Sequence, residues 1–286
     1  MKHLINPQVD CVFKAILGSD ENKPLLLNFL NGILKPVSTI TAVTIENPYN
    51  EREFESDKLS IVDIKAKDEE GAFYQIEIQM SSYPYLPSRM LYTWSDIYSA
   101  QIKSGEHFST LKPVISIWLL VDTLLKDVSH YHHRFQMFDN QQQRLLSDHC
   151  AIHVVELNKW QFIDHLSIED KWVYFFKEAQ HWTALPDEIN TPEMRQAMAV
   201  LRQFSDKEHN YHLYQARENA VREEKSRQHL YEEAIKEKEE ALKLKEEECK
   251  LKEEALRREQ DALAEQQRLR ALLEKAGIKP NPGDAL

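Results

Sequence analysis

The composition of the chain changes near residue 205, and this change limits how much of it can form a globular core. Trp and Phe are frequent before that point, whereas after Tyr214 there is neither Trp nor Phe, and no Pro occurs until Pro280. Glu, Lys, Arg, Gln, Leu and Ala dominate the later part. We therefore predict a globular domain at 1–205, a long charged helix at 206–276 and a flexible tail at 277–286, with Gly277 ending the helix.

Bulk properties exclude several classes of protein. The net charge of -11 disfavours a protein that coats DNA without regard to sequence, and acidic residues outnumber basic ones within residues 1–204 as well. No apolar run is long enough to span a membrane, and the N-terminus lacks the apolar segment of a signal peptide. Three widely spaced cysteines without a C-x-x-C motif favour a reducing, cytoplasmic location. With 6 glycines there is no Gly-rich phosphate loop, so we expect no nucleotide cofactor.

The pattern of the first 205 residues predicts an α/β domain. Two helices come first and the last two close the domain, and a continuous apolar segment in between indicates a buried strand. The predicted helices are 8–18, 23–34, 87–104, 167–181 and 191–204. The predicted strands are 38–46, 59–67, 72–80, 114–121, 133–138 and 150–156.

Two carboxylates on a predicted hairpin are the strongest chemical feature. The strands 59–67 and 72–80 flank an Asp-Glu-Glu-Gly turn at 68–71. A turn there places Asp63 opposite Glu77 and Lys65 opposite Gln75, with directly paired Cβ atoms about 5 Å apart. Two such carboxylates repel each other unless a cation lies between them, and Mg²⁺ is commonly held by one or two carboxylates. The alternative is a hairpin with an ordinary solvent-facing polar side, which the pattern alone favours.

Several short motifs occur in an order and spacing that resemble a known nuclease family. They are Asp10-x-x-Phe13-Lys14, Asp57-x-Leu59-x-x-x-Asp63, Ile76-Glu77-Ile78-Gln79, Arg89 with Tyr92, Gly105, Glu156-Leu157-x-Lys159-Trp160 and Phe204-Ser205-x-x-Glu208. Together they resemble the Rpn-type recombination-promoting nuclease and transposase family of the PD-(D/E)XK, or restriction-endonuclease-like, nucleases. The resemblance covers about residues 4–220, and it reverses the preference for the solvent-facing hairpin.

The resemblance implies a mixed β-sheet flanked by helices and a Mg²⁺- or Mn²⁺-dependent DNA endonuclease linked to recombination or mobile elements. It makes Asp63 and Glu77 the metal ligands, with Asp10 assisting a metal-bound water. The wider superfamily usually carries Lys at the position of Gln79, and a neutral amide supplies hydrogen bonds but no charge. We hypothesise that Lys65 or Lys14 supplies that charge.

The contacts to DNA are expected from Lys14, and from Arg89 and Tyr92 on the helix predicted at 87–104. Asp96 and Lys103 fall near the same helix face, where an ordinary polar surface is the preferred interpretation. A histidine cluster, at 130, 132 and 133, is either a second metal site or, as we favour, a chance grouping.

The charged helix leaves three interpretations open. Ile235, Leu242, Cys249, Leu256 and Leu263 recur every seven residues, but the second apolar column of a strong coiled coil is missing. The helix could form a weak homodimer, act as an isolated spacer, or dock a partner. We rank the weak homodimer slightly first. The acidic charge and Gln79 favour a non-enzymatic alternative for the whole chain: a retired nuclease-like DNA-binding or adaptor module that acts through this helix.

Overall fold

The computed structural model describes residues 3–46 and 64–277, so Asp57, Leu59 and Asp63 lie outside the described residues, as does the predicted tail beyond Gly277. The chain divides into two units, Met1–Glu223 and Glu224–Leu286. None of the helices described combines the length and apolar character that a membrane span needs.

A six-stranded mixed sheet organises the first unit. The strands are β1 (Val43–Ile45), β2 (Ile64–Asp68), β3 (Phe73–Gln79), β4 (Val114–Leu120), β5 (His132–Phe135) and β8 (Cys150–Glu156), in the order β1-β2-β3-β4-β8-β5. The pairs β3–β4 and β4–β8 are parallel, whereas the other pairs are antiparallel. A separate two-stranded ribbon joins β6 (Phe138–Asp139) to β7 (Arg144–Leu145). The predicted mixed sheet is confirmed.

Helices cover both faces of this sheet. The helices are α1 (Asp10–Leu17), α2 (Lys23–Leu34), α3 (Leu86–Ser99), α4 (Ile168–Glu178), α5 (Pro192–Asp206) and α6 (Glu208–Lys275). Apolar residues of α1, α2, α4 and α5 share one core with Ile76, Ile117 and Val155 of the sheet. On the opposite face, Met90 and Trp94 of α3 form a smaller core with Trp118. Because α3 connects the parallel strands β3 and β4, it crosses the sheet on that second face.

The local sequence accounts for where the main elements begin and for the strand β4. Ser167 and Asp170 form a reciprocal capping box at the start of α4, and Pro87 lies in the first turn of α3, where it needs no hydrogen bond from its nitrogen. The continuous apolar sequence of β4 follows from its position, because Ile117 faces one core and Trp118 the other.

Three predicted elements differ from the observed ones. The helix predicted at 87–104 ends at Ser99, so Lys103 is not helical. The backbone N–H of Lys103 donates instead to the side chain of Glu106, in a turn where Gly105 has a φ of +91°. The strand predicted at 38–46 is reduced to Val43–Ile45, because the N–H groups of residues 40–42 bond to the side chains of Asn31 and Glu69 instead of to a strand. The strand predicted at 133–138 is β5, which ends at Phe135.

The second unit is the larger part of α6. Ion pairs between successive turns join Lys252 to Glu248 and Arg258 to Glu254, four residues apart, and Arg268 to Glu265, three residues apart. Its column of Ile235, Leu242, Cys249, Leu256 and Leu263 is exposed. The first turns of α6 belong to the first unit, where Tyr214 and Arg217 are buried.

Candidate active site

The site predicted from the hairpin lies on β3, at the end where the parallel strands terminate. Lys65 pairs with Gln75 and Ile64 with Ile76, so the predicted register is confirmed as far as the described residues reach. The pairing predicted for Asp63 with Glu77 lies outside them. Alternation along β3 places Ile76 and Ile78 in the larger core and Gln75, Glu77 and Gln79 on the face that α3 crosses.

That polar face is not turned to solvent. Gln75 is 0% exposed and Glu77 is 5% exposed, since the crossing helix and its small apolar core cover them. The solvent-facing hairpin is therefore excluded for these residues. A buried carboxylate needs a partner of opposite charge or several hydrogen bonds, because desolvation disfavours its ionised form.

Arg89, in the first turns of α3, provides that partner for Glu77. Its Nη2 donates to Oε1 of Glu77, and its Nη1 donates to Oε1 of Gln79 at 3.0 Å and to the hydroxyl of Tyr83 at 3.1 Å. Arginine has no acceptor, so Gln79 must present its oxygen to Arg89 and thus keeps its amide hydrogens for another group. The structure therefore brings three of the predicted site residues, Glu77, Gln79 and Arg89, into one bonded cluster.

The ring of Trp118 packs against the guanidinium of Arg89 in this cluster. The guanidinium carbon of Arg89 lies 5.4 Å from the centre of the Trp118 ring, within range of a cation–π contact. The indole N–H of Trp118 donates to the Ser116 hydroxyl at 2.9 Å, and that hydroxyl donates to Oε1 of Gln75 at 3.2 Å. This buried chain of hydrogen bonds fixes the ring on which Arg89 rests.

The remaining predicted residues are placed as follows. Asp10 accepts a hydrogen bond from the N–H of Cys11 at 2.7 Å and lies 3.8 Å from Arg217; no hydrogen bond joins it to Glu77 within the described ranges. Burial raises the pKa of Asp10, and Arg217 and Lys14 oppose that rise. Tyr92 is 71% exposed, one turn beyond Arg89 on α3.

Lys14 and Lys65 lie on elements that meet near the start of β2. A Cβ built on Gly18 would approach Lys14 Cγ to 3.0 Å and Ile64 Cγ1 to 3.2 Å, so the end of α1 packs closely against the residue after Asp63. Lys65 lies on the same sheet face as Gln75, its cross-strand partner.

No sequence pattern indicated which residues would hold Arg89 in place. From the sequence pattern, Tyr83, Ser116 and Trp118 are ordinary loop or core residues. They come together at the site only in the folded chain. The predicted alternation of β3 identified the face, but not the helix that covers it.

Among the residues that the structure describes, the histidine cluster is not arranged as a metal site. His132 lies 2.8 Å from the ring of His153 and 2.5 Å from Glu169, while His133 turns to the carbonyl of His130 at 2.8 Å. Over residues 3–46 and 64–277 no group of three or more His, Cys, Asp or Glu side chains is arranged to hold a metal ion. This statement does not extend to Asp63, the predicted second carboxylate of the candidate site.

The donor set at Glu77 fits a hard divalent cation. It centres on the buried carboxylate of Glu77, and oxygen atoms are the ligands that Mg²⁺ prefers. Mg²⁺ sites commonly have one or two carboxylate ligands, and Asp63 is predicted to supply the second.

Comparison with known proteins identifies the family. Curated proteins and solved structures give no match. A family model described as PD-(D/E)XK nuclease family transposase matches residues 7–234 of the 286, which is most of the chain and includes every described residue of the candidate site. The chain therefore belongs to the PD-(D/E)XK nuclease family transposases.

Proposed function

We propose that this chain is a metal-dependent DNA endonuclease in which Asp63 and Glu77 hold Mg²⁺ or Mn²⁺. The observation that carries the proposal is the burial of Glu77 at the end of a parallel strand, bonded to a guanidinium and adjacent to Gln79. Buried ion pairs contribute little net stability, so an apolar residue of similar size would stabilise the fold at least as well as this carboxylate. The presence of the carboxylate therefore favours a functional role. The family name supports a link to recombination or mobile elements.

Each residue has a defined part in this proposal. When bound, the cation orients and activates a water molecule and offsets charge on the scissile phosphate. Glu77 and Asp63 hold the cation, Gln79 offers its amide hydrogens to the water or the phosphate, and Asp10 and Lys65 assist. Lys14, Arg89 and Tyr92 contact the DNA backbone, which a protein of net charge -11 must bind through a local basic surface.

Plasmid cleavage tests the proposal. Purified full-length protein is incubated with supercoiled DNA and Mg²⁺, Mn²⁺ or EDTA, beside Asp63→Ala and Glu77→Gln. The matched control is Asp96→Asn, which removes the same charge from an exposed position on α3. We expect nicking with either metal, none with EDTA, and a loss of at least about 100-fold in both site variants but not in the control.

A retired nuclease that serves as a DNA-binding or adaptor module is the second candidate. The ion pair between Arg89 and Glu77 favours it, because a carboxylate engaged by arginine is less available to a cation. Absence of cleavage by the wild type with either metal, together with retained DNA binding, selects this candidate over the enzyme.

The charged helix and the cellular location complete the proposal. We place self-association in the exposed column of α6, with the spacer and the partner-docking helix as the competing interpretations. Analytical ultracentrifugation of the full chain distinguishes a dimer from a monomer. Cys11, Cys150 and Cys249 are all free, which accords with a reducing location such as the cytoplasm.

A further inference from the structure

We propose that Arg89 is the catalytic cation of this site and that Gln79 is the residue that positions it. This inference rests on the proposed nuclease function and adds the group that stabilises the charge of the transition state. Hydrolysis of a phosphodiester builds negative charge around phosphorus, and fixed cations aimed at that charge are among the largest contributions to catalysis. The strand itself offers the neutral Gln79, so the charge must come from another element.

The contacts of Arg89 place its guanidinium beside the predicted metal ligand. It is bonded to Glu77, the predicted metal ligand, and to Gln79, two residues further along β3. Lys65 instead faces Gln75 across the hairpin, and Lys14 lies on α1 near Gly18. The earlier hypothesis assigned the charge to one of those lysines, whereas the described contacts to both Glu77 and Gln79 come from Arg89.

The side chain of Arg89 is also held in a fixed orientation. Gln79 and Tyr83 accept from the same nitrogen, and Trp118, held by Ser116, supports the plane of the guanidinium. A planar guanidinium uses such a combination of stacking and directed acceptors, whereas the ammonium of lysine does not. A cation fixed in this way needs little rearrangement when charge develops on the phosphate.

The ion pair has a consequence that separates catalysis from metal binding. Arg89 and a divalent cation carry the same sign of charge and would share the carboxylate of Glu77, which Arg89 already engages. Arg89 would therefore weaken the affinity of the site for the metal, and its guanidinium would offer one edge to a phosphate oxygen once Glu77 held the metal. Removing Arg89 is expected to strengthen metal binding and to weaken cleavage.

The experiment measures both quantities on the full chain. Mn²⁺ affinity is obtained by isothermal titration calorimetry without DNA, and cleavage is measured on supercoiled plasmid, for the wild type, Arg89→Ala and Arg89→Lys. The control is Arg195→Ala, which removes an exposed arginine of α5 whose side chain donates to Asn190. For Arg89→Ala we expect Mn²⁺ to bind about tenfold more tightly and cleavage to fall about 100- to 1000-fold. Arg195→Ala should match the wild type in both.

Two further variants protect the test against misfolding and against a merely structural role. Arg89→Lys keeps the charge but loses the directed contacts, so metal affinity should stay near that of the wild type while cleavage falls about tenfold. It carries the test if Arg89→Ala fails to fold, as judged by tryptophan fluorescence. In the double variant Arg89→Ala with Gln79→Lys, a cation returns on β3, and cleavage should recover at least about tenfold relative to Arg89→Ala.

The outcomes are distinct. Wild-type cleavage by Arg89→Ala, or a parallel loss of metal affinity and cleavage without rescue by Gln79→Lys, overturns the role of Arg89 while the nuclease function stands. A wild-type protein that neither binds Mn²⁺ nor cuts DNA overturns the proposed function, and this inference with it.

Discussion

The buried imidazole of His153 should make the first unit sensitive to mild acid. His153 lies on β8 and is 4% exposed, with its Nδ1 2.8 Å from Nε2 of His132. The second nitrogen of His132 lies 2.5 Å from Glu169, and Lys35 lies 2.7 Å from the other oxygen of that carboxylate. His153 thus reaches the carboxylate of Glu169 only through His132, and its burial favours the neutral imidazole.

The size of the effect follows from the pKa of His153. Burial, and then the neighbouring His132 and Arg134, lower this pKa from 6.5 to about 3. The unfolded chain therefore takes up a proton as the pH falls below 6.5, while the folded chain does not until about pH 3. The contribution of His153 to the free energy of unfolding is complete above pH 6.5, and about 3 kcal/mol of it is lost by pH 4.5 and about 4 kcal/mol by pH 3.

Urea unfolding at pH 7 and pH 4.5 measures this loss. Tryptophan fluorescence is the appropriate signal, because residues 224–286 contain no Trp and the signal reports on the first unit alone. His153→Asn keeps a side-chain amide near the position of Nδ1 but does not titrate. We expect it to lose about 3 kcal/mol less than the wild type between the two pH values. His165→Asn, at an exposed position, is the matched control and should behave as the wild type.

Equal pH dependence in the wild type and His153→Asn would refute the reasoning. It would mean that His153 is protonated in the folded protein at pH 4.5, with Glu169 compensating its charge through His132. A reduced pH dependence in His165→Asn would instead show that exposed histidines determine the slope.

Three other perturbations have defined outcomes. Glu156→Gln should lower the free energy of unfolding in urea by about 3 kcal/mol, since the buried carboxylate lies 2.5 Å from Lys159 and its loss leaves that ammonium uncompensated; an unchanged value would contradict this. Gly71→Ala should cost about 1 kcal/mol in the same assay, because the turn holds this residue at a φ of +92°. Brief oxidation of the full chain should give a disulfide-linked dimer through exposed Cys249 if α6 pairs in parallel register, and none in Cys249→Ser; a monomer in both would favour the spacer.

The local pattern of the sequence predicted most of the architecture. The hairpin register between Lys65 and Gln75 followed from a turn of fixed length between two alternating strands. The continuous apolar segment of β4 required burial on both faces, and that is what two cores provide. The helix predicted to 104 was too long because the polar residues after Ser99 are compatible with a helix, and the alternative turn near Gly105 involves specific hydrogen bonds that composition does not encode.

The candidate site was predictable only in part. Alternation assigned Glu77 and Gln79 to one face, but the burial of that face depends on where the crossover helix packs. Arg89 was singled out as a contact to DNA, and nothing in its spacing indicates a bond to Glu77. Such a bond depends on the position of α3 relative to β3, which is set by packing around Trp118 and not by local propensity.

The crossover from β3 through α3 to β4 also bears on the order of folding. Glu77, Gln79, Arg89 and Trp118 all lie between residues 73 and 120, so their contacts close short loops and lose little chain entropy on forming. We expect this segment to behave as one cooperative unit in native-state hydrogen exchange, with β3 and β4 opening together. Independent opening of β3 and β4 would show that the contacts among these four residues form only once the whole sheet is complete.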